Sequence, residues 1–208
     1  MKLKNIIVMA LILMLISFSV QAADKPSIEG IYKKLPGHDF SFDGKQVEII
    51  EFLNFYCGHC YKFEESIPVI KGNFPKKIKW KTIPLYWGKS VKAVEAFFLA
   101  EEAGKGEEMK KALFKATFVD KRDISNINVV EKIGTDMGLG FDFSRRLRAG
   151  EKAKAVGEAI LKAQSYKVES TPTLIIAGNL KVTSGAAGHG PNAFRDNVIS
   201  IVKSLFRK

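Results

Sequence analysis

The chain has 208 residues, of which 46% are hydrophobic and 26% charged, and a formal net charge of +11. Such a chain can bury its own core in one domain, and only two cysteines exclude a disulfide-stapled scaffold. The lysines are scattered among glutamates, with no arginine-rich run carrying interleaved aromatics, so the excess reads as a solvated basic surface and not as a nucleic-acid footprint.

The N-terminus runs Met1-Lys2-Leu3-Lys4, then an unbroken apolar stretch from Ile6 to Ile16, then Ser17-Phe18-Ser19-Val20-Gln21-Ala22-Ala23. A short basic region, an apolar core and an A-x-A-like site make a signal peptide over residues 1–22, cut after Ala22 or Ala23; an uncleaved anchor is the alternative. The apolar core is short for a membrane span, and no later stretch is long enough. Export places the cysteines where disulfides persist.

From Ile28 to Phe42 the composition is mixed, with a Pro36-Gly37 turn, and predicts an extended lead-in with one short strand. Asp43-Gly44 then turns into Val47–Tyr56, apolar on both faces and therefore a central strand. A helix follows from Tyr61 and continues beyond Pro68, where a kink is expected, and Lys77–Leu85 alternates at period two as a strand with one exposed face. Between Ser90 and Gln164 the apolar period lengthens to between three and four. Four stripes mark helices: Val91, Val94, Phe97 and Phe98; Met109, Leu113, Phe114 and Thr117; Val129, Val130, Ile133 and Met137; and Val156, Ala159, Ile160 and Ala163. Leu174–Ala177 and Leu180–Val182 read as a hairpin across Gly178-Asn179, and Pro191–Lys208 as a closing helix. Strand, helix, strand, a helical block, then strand, strand and helix describe a mixed α/β sheet.

Cys57-Gly58-His59-Cys60 lies where the central strand delivers the chain to a helix N-terminus. Zinc needs four ligands, and beyond the cysteines only His38, His59 and His189 are available; attached haem needs histidine after the second cysteine, where Tyr61 stands. A structural bridge across two residues restrains the unfolded chain little, which leaves a pair cycling between dithiol and disulfide. Free N–H groups and the dipole of a helix N-terminus favour a thiolate on Cys57, with Cys60 as the resolving thiol. His59, when protonated, would add to that, and a stabilised thiolate is a better leaving group and a more oxidising partner. No metal or cofactor is called for by these residues.

The stretch Glu51-Phe52-Leu53-Asn54-Phe55-Tyr56-Cys57-Gly58-His59-Cys60-Tyr61-Lys62-Phe63-Glu64-Glu65 closely resembles the active-site region of the DsbA family of thiol:disulfide oxidoreductases. The resemblance implies a thioredoxin-like fold with an inserted helical domain: residues 23–88 the first part, 89–165 the insertion, 166–208 the second part. It implies that Cys57 and Cys60 form the reversible disulfide, that Thr171-Pro172 is a cis bond facing them with the Thr171 backbone offered to substrate, and that Glu51 is the buried acid assisting Cys60; Glu51 reaching solvent is the competing reading. It implies a periplasmic monomer that oxidises reduced, unfolded exported proteins and is reoxidised by a DsbB-like membrane quinone reductase. The family's usual dipeptide is Pro-His, whereas Gly58-His59 is that of protein disulfide isomerases. An isomerase or reductase therefore stays open beside the oxidase, as does a client-binding, chaperone-like protein with an idle disulfide.

Overall fold

In the computed structural model of the chain, residues 28–88, 91–186, 188 and 190–207 are described; the expected signal peptide and His189 lie outside them. The run of strand formers at Val47–Asn54 builds β2, buried throughout except at Glu48. Its neighbours follow from the sheet order β1-β5-β4-β2-β3, made of β1 (Lys33–Lys34), β3 (Ile78–Leu85), β4 (Thr173–Ile176) and β5 (Leu180–Thr183). Only β3 runs parallel to β2; the remaining pairs are antiparallel. Eight helices complete the described chain: α1 (Gly58–Phe63), α2 (Ser66–Asn73), α3 (Lys92–Glu102), α4 (Gly106–Phe118), α5 (Ile127–Asp136), α6 (Gly140–Arg148), α7 (Ala153–Ser165) and α8 (Pro191–Phe206). Among the described residues, no helix is long and apolar enough to cross a membrane.

Alternation along β2 sorts the layers. Val47 and Ile49 join Phe63, Ile67 and Ile70 of the α1–α2 segment and Phe194, Val198 and Ile201 of α8 in one core. Ile50 and Phe52 face the other way, against Ala159 and Ala163 of α7. A third core fills the helical insertion, and into it reach Leu53, Phe55 and Cys60 from the active-site end of the sheet. The second cysteine is therefore packed among side chains of α3 to α6.

Three details depart from the sequence reading. The break in the helix after the cysteine pair comes at Glu64-Glu65, ahead of Pro68, because proline in the first turn of α2 gives up an N–H that has no helical partner there. The strand at 78–85 alternates only as far as Lys81 and is buried from Thr82 to Leu85; it carries Pro84 without loss since β3 is the edge of the sheet. Helix α6 lies within the expected helical block but carries none of its four stripes: it has three arginines and buries only Phe143 and Leu147, spaced i, i+4, which is too short a stripe to register as a period.

The Phe143 ring of α6 packs against a glycine of α5. A Cβ built on Gly134 would stand 2.2 Å from Phe143 Cε1 and 2.5 Å from Cδ1, so α5 and α6 approach only because position 134 has no side chain. Gly134→Ala is expected to destabilise the protein by about 1–3 kcal/mol despite the better helix propensity of alanine, read as a lower denaturant midpoint; an unchanged midpoint would mean that the ring swings aside freely.

Candidate active site

Strand β2 ends at Asn54, whose side chain makes the turn that follows. Its Nδ2 donates to the Leu85 carbonyl at 3.1 Å, tying β2 to β3, and its Oδ1 accepts the Tyr56 N–H at 2.8 Å. The Cys57 N–H donates to the Asn54 carbonyl at 2.9 Å. Cys57 is then the N-cap of α1, with extended backbone, and its Sγ accepts the Cys60 N–H at 3.2 Å, the place a serine oxygen takes in other helices. Cys60 lies one turn on and is fully buried. Both thiols are free, so the structure presents the dithiol arm of the pair.

The partner from far along the chain arrives by strand register. Phe52 of β2 is opposite Thr173 of β4, antiparallel, so the residues after Phe52 and those before Thr173 meet at one end of the sheet. There the Cys57 sulfur lies 3.2 Å from the Thr171 carbonyl, to which it donates when protonated, and the Thr171-Pro172 peptide is cis. A cleft of about 220 Å³ opens beside the pair, lined in part by His59, Lys62, Phe63, Pro172 and Phe194.

These contacts split the two cysteines. Hydrogen bonding, from the Cys60 thiol first and then from the Thr171 side chain and the Cys60 and His59 backbone, outweighs partial burial and lowers the Cys57 thiol from 9.0 to about 6. Burial first, and then the adjacent Cys57, hold Cys60 well above the ordinary thiol range. One sulfur is a thiolate at neutral pH and the other keeps its proton. His59 is exposed, and the link from it to Cys57 runs through its backbone N–H. A Cβ on Gly58 would meet nothing closer than Phe118 Cε1 at 3.8 Å, so crowding does not impose glycine there.

Glu51 does not reach solvent. It is fully buried on the sheet face beneath α1, where its Oε2 accepts from Trp80 Nε1 at 3.0 Å and Thr82 Oγ1 at 3.3 Å. Burial raises its pKa, against the pull of Lys110 at 3.8 Å. Sequence reasoning missed Asn54, Trp80 and Thr82, and also Lys110 and Glu64. The signal for Lys110 was its position four residues before Phe114, within the apolar stripe of α4.

A thioredoxin-like sheet presenting a C-x-x-C at a helix N-terminus, opposite a cis-proline loop, defines a dithiol–disulfide oxidoreductase. The chain belongs to the DSBA-like thioredoxin domain family, whose model matches residues 48–190. Among curated relatives, the thiol:disulfide interchange protein DsbA of Azotobacter vinelandii is 24% identical over 166 residues, covering 79% of this chain and 78% of its own. That of Pseudomonas aeruginosa PAO1 is 24% identical over 193 residues, 90% of each chain. Among solved structures, Salmonella enterica serovar Typhimurium SrgA superposes with a TM-score of 0.70 at 20% identity, covering 85% of this chain and 99% of its own. Pseudomonas aeruginosa DsbA gives 0.69 at 20% identity, covering 89% and 99%.

Cys57 is expected to be alkylated by iodoacetamide with a midpoint near pH 6, and Cys60 to resist until the protein unfolds, both read by peptide mapping. Because the folded pKa of Cys57 is depressed, its contribution to the stability of the dithiol form is complete above the ordinary value of 9.0 and is lost as pH falls through about 6. Across that window the melting temperature of the dithiol form should therefore rise with pH relative to the disulfide form. Equal slopes for the two forms would contradict the thiolate.

Proposed function

We propose that the protein introduces disulfides into exported polypeptides in the periplasm, using the Cys57–Cys60 disulfide as oxidant. The observation that carries this reading is the split between the cysteines: Cys57 is a thiolate at neutral pH, hence a good leaving group, while the buried Cys60 holds its proton. A client thiolate attacks Cys57, the Cys57–Cys60 bond breaks, and its electron pair and a proton end on Cys60. A second client thiolate then attacks the client sulfur of the mixed disulfide and expels Cys57 as thiolate. The client has lost two electrons and the enzyme pair has gained them.

Thr171 and Pro172 supply the substrate platform. The Thr171 carbonyl, which accepts from Cys57 in the dithiol form, turns to the backbone of an extended client once Cys57 is bonded to it. Glu51 is the proton store for Cys60: it lies on the face that α1 covers and its pKa is raised by burial. Reduced, unfolded exported proteins are the clients, and a DsbB-like membrane quinone reductase returns the pair to the disulfide. The protein acts as a monomer. Curated relatives bearing the name thiol:disulfide interchange protein support this assignment.

Gly58 favours a second reading, disulfide isomerisation, because Gly-His is the dipeptide of protein disulfide isomerases and packing does not impose it here. Equilibration with glutathione decides between them. The oxidase reading expects a potential near about −120 mV and the isomerase reading one near about −180 mV, while a value below about −300 mV, where structural disulfides lie, overturns both. Gly58→Pro should fold normally, since proline suits the first position of a helix, and should become more oxidising. Cys57→Ser and Cys60→Ser are each expected to abolish oxidation of a reduced client, and Cys60→Ser first charged with glutathione on Cys57 to exchange it for a client thiol, releasing glutathione and holding the client as the mixed disulfide; a Cys57→Ser protein that still supports full oxidative folding of the client would point to a client-binding role.

A further inference from the structure

Flanking the site is an arrangement of lysines that neither the fold nor the exchange chemistry uses. Lys33 of β1 stands directly opposite Lys181 of β5. Like charges facing each other across an antiparallel pair destabilise it, so this pairing is a cost to the sheet. A third lysine joins them, because the Lys181 Nζ donates to the carbonyl of Lys167. Lys33 and Lys167 are exposed and Lys181 is half-buried. Burial first, and then the like charges of Lys33 and Lys167 against the pull of Glu169, hold the Lys181 ammonium below its usual range. Lys167 lies four residues before Thr171, a span of at most about 14 Å in extended chain. Lys181 is opposite Ile175 of β4, four residues beyond Thr171, or about 13 Å along the strand. Leu180 and Val182 face the core beneath α8, together with Phe63 and Phe194 of the active-site cleft, so Lys181 between them points to the other face of the sheet. On the cleft side stands a fourth lysine, Lys62, exposed and lining the cleft with His59. Among the described residues, no carboxylate comes within ion-pair distance of any of these four.

We propose that the protein selects acidic clients: polypeptide segments carrying glutamate or aspartate within about four residues of the reacting cysteine, held by Lys62 in the cleft and by Lys33, Lys167 and Lys181 on the opposite face. This rests on the reading of Thr171 as the backbone platform for an extended client. An extended chain sends alternate side chains to opposite sides, so a client held at Thr171 presents some to the cleft and the others to the lysine cluster. Acidic side chains there answer charges that the protein leaves unpaired, and they relieve the repulsion between Lys33 and Lys181. Basic segments meet the same lysines as like charges and are turned away. The cleft walls of Phe63, Pro172 and Phe194 carry no charge of their own, which leaves the choice there to Lys62 and His59. The net charge of +11 adds a longer-range attraction for the same clients, one that salt screens. An anionic membrane offers negative charge too, but a flat surface cannot meet lysines on both faces of one sheet at once, whereas an extended chain can.

The test uses reduced two-cysteine peptides, identical except for Glu, Gln or Lys at the positions around the cysteines, and the protein in its disulfide form. Two electrons pass from each peptide dithiol to the Cys57–Cys60 pair. Every rate is divided by that of the same peptide with hydroxyethyl disulfide, a neutral oxidant, which cancels the effect of flanking charge on the peptide thiols. At about 50 mM salt the Glu peptide is expected to react about tenfold faster than the Lys peptide, with the Gln peptide between them, and the ratio to approach one at about 0.5 M salt. Lys62→Glu, and separately Lys33→Glu with Lys167→Glu, are each expected to cut the ratio several-fold, and the three together to invert it. Since both peptides meet the same variant, a general change in its reactivity leaves the ratio unmoved. A wild-type ratio near one overturns the proposal, as does a ratio that persists in the triple variant. A ratio that responds to Lys62→Glu but not to the other pair overturns the two-sided site. Flotation with phosphatidylglycerol vesicles that Lys33→Glu with Lys167→Glu abolishes, alongside a peptide ratio near one, overturns it in favour of a membrane contact. Oxidation of all three peptides at one normalised rate removes the acidic preference alone, whereas failure to oxidise any of them removes the oxidase reading beneath it.

Discussion

The site depends on a sulfur acting as a helix cap. The Cys57 Sγ accepts the Cys60 N–H at 3.2 Å, which satisfies one of the free donors of the first turn and fixes the two cysteines in one geometry. A serine oxygen in that place would cap equally well and stop there. Sulfur ionises in the accessible range, so every donor that serves the helix start also stabilises the charge that the chemistry needs. Helix α1 is only six residues long, so the fixed donors, and not a long macrodipole, carry the shift.

What places that cap is the sheet. Because β4 lies antiparallel beside β2 with Thr173 opposite Phe52, a residue more than a hundred positions away comes within hydrogen-bonding distance of Cys57. The order of the strands in the chain requires the intervening segment to leave β3 and return to β4, and α3 to α7 occupy that excursion. They do more than fill it. Cys60, Leu53 and Phe55 belong to the same apolar core as residues of α3 to α6, and Tyr61 of α1 stacks on Phe118 of α4 at 4.8 Å between ring centres. The burial that keeps Cys60 protonated is thus provided largely by the insertion.

Most of the fold was legible because its signals are local. Val47–Asn54 is a continuous apolar run, Leu174–Ile176 and Leu180–Thr183 flank a Gly-Asn turn, and the closing helix starts with proline and carries apolar residues at helical spacing. The cysteine pair and Thr171-Pro172 were readable as motifs. What escaped was non-local or too weakly patterned. Helix α6 anchors itself through Phe143 and Leu147 and through ion pairs such as Arg146 with Glu102 and Glu151, which depend on neighbouring elements. Asn54 is an ordinary polar residue until β3 brings the Leu85 carbonyl to it. Lys110 is one of many lysines until Glu51, Glu64 and Glu107 converge on it from separate segments.

That convergence changes the meaning of the chain's basic composition. Most of the 33 basic residues lie at the surface, where each ion pair contributes little, as with Lys132 and Asp136, both more than half exposed. Lys110 is of another kind. An ammonium removed from water is costly unless carboxylates answer it, and those carboxylates are in turn costly without the ammonium, so the group is stable only as a whole. Coming from α4, while Glu51 lies on β2, it ties the helical insertion to the sheet through charges that are stable only when the two are packed together.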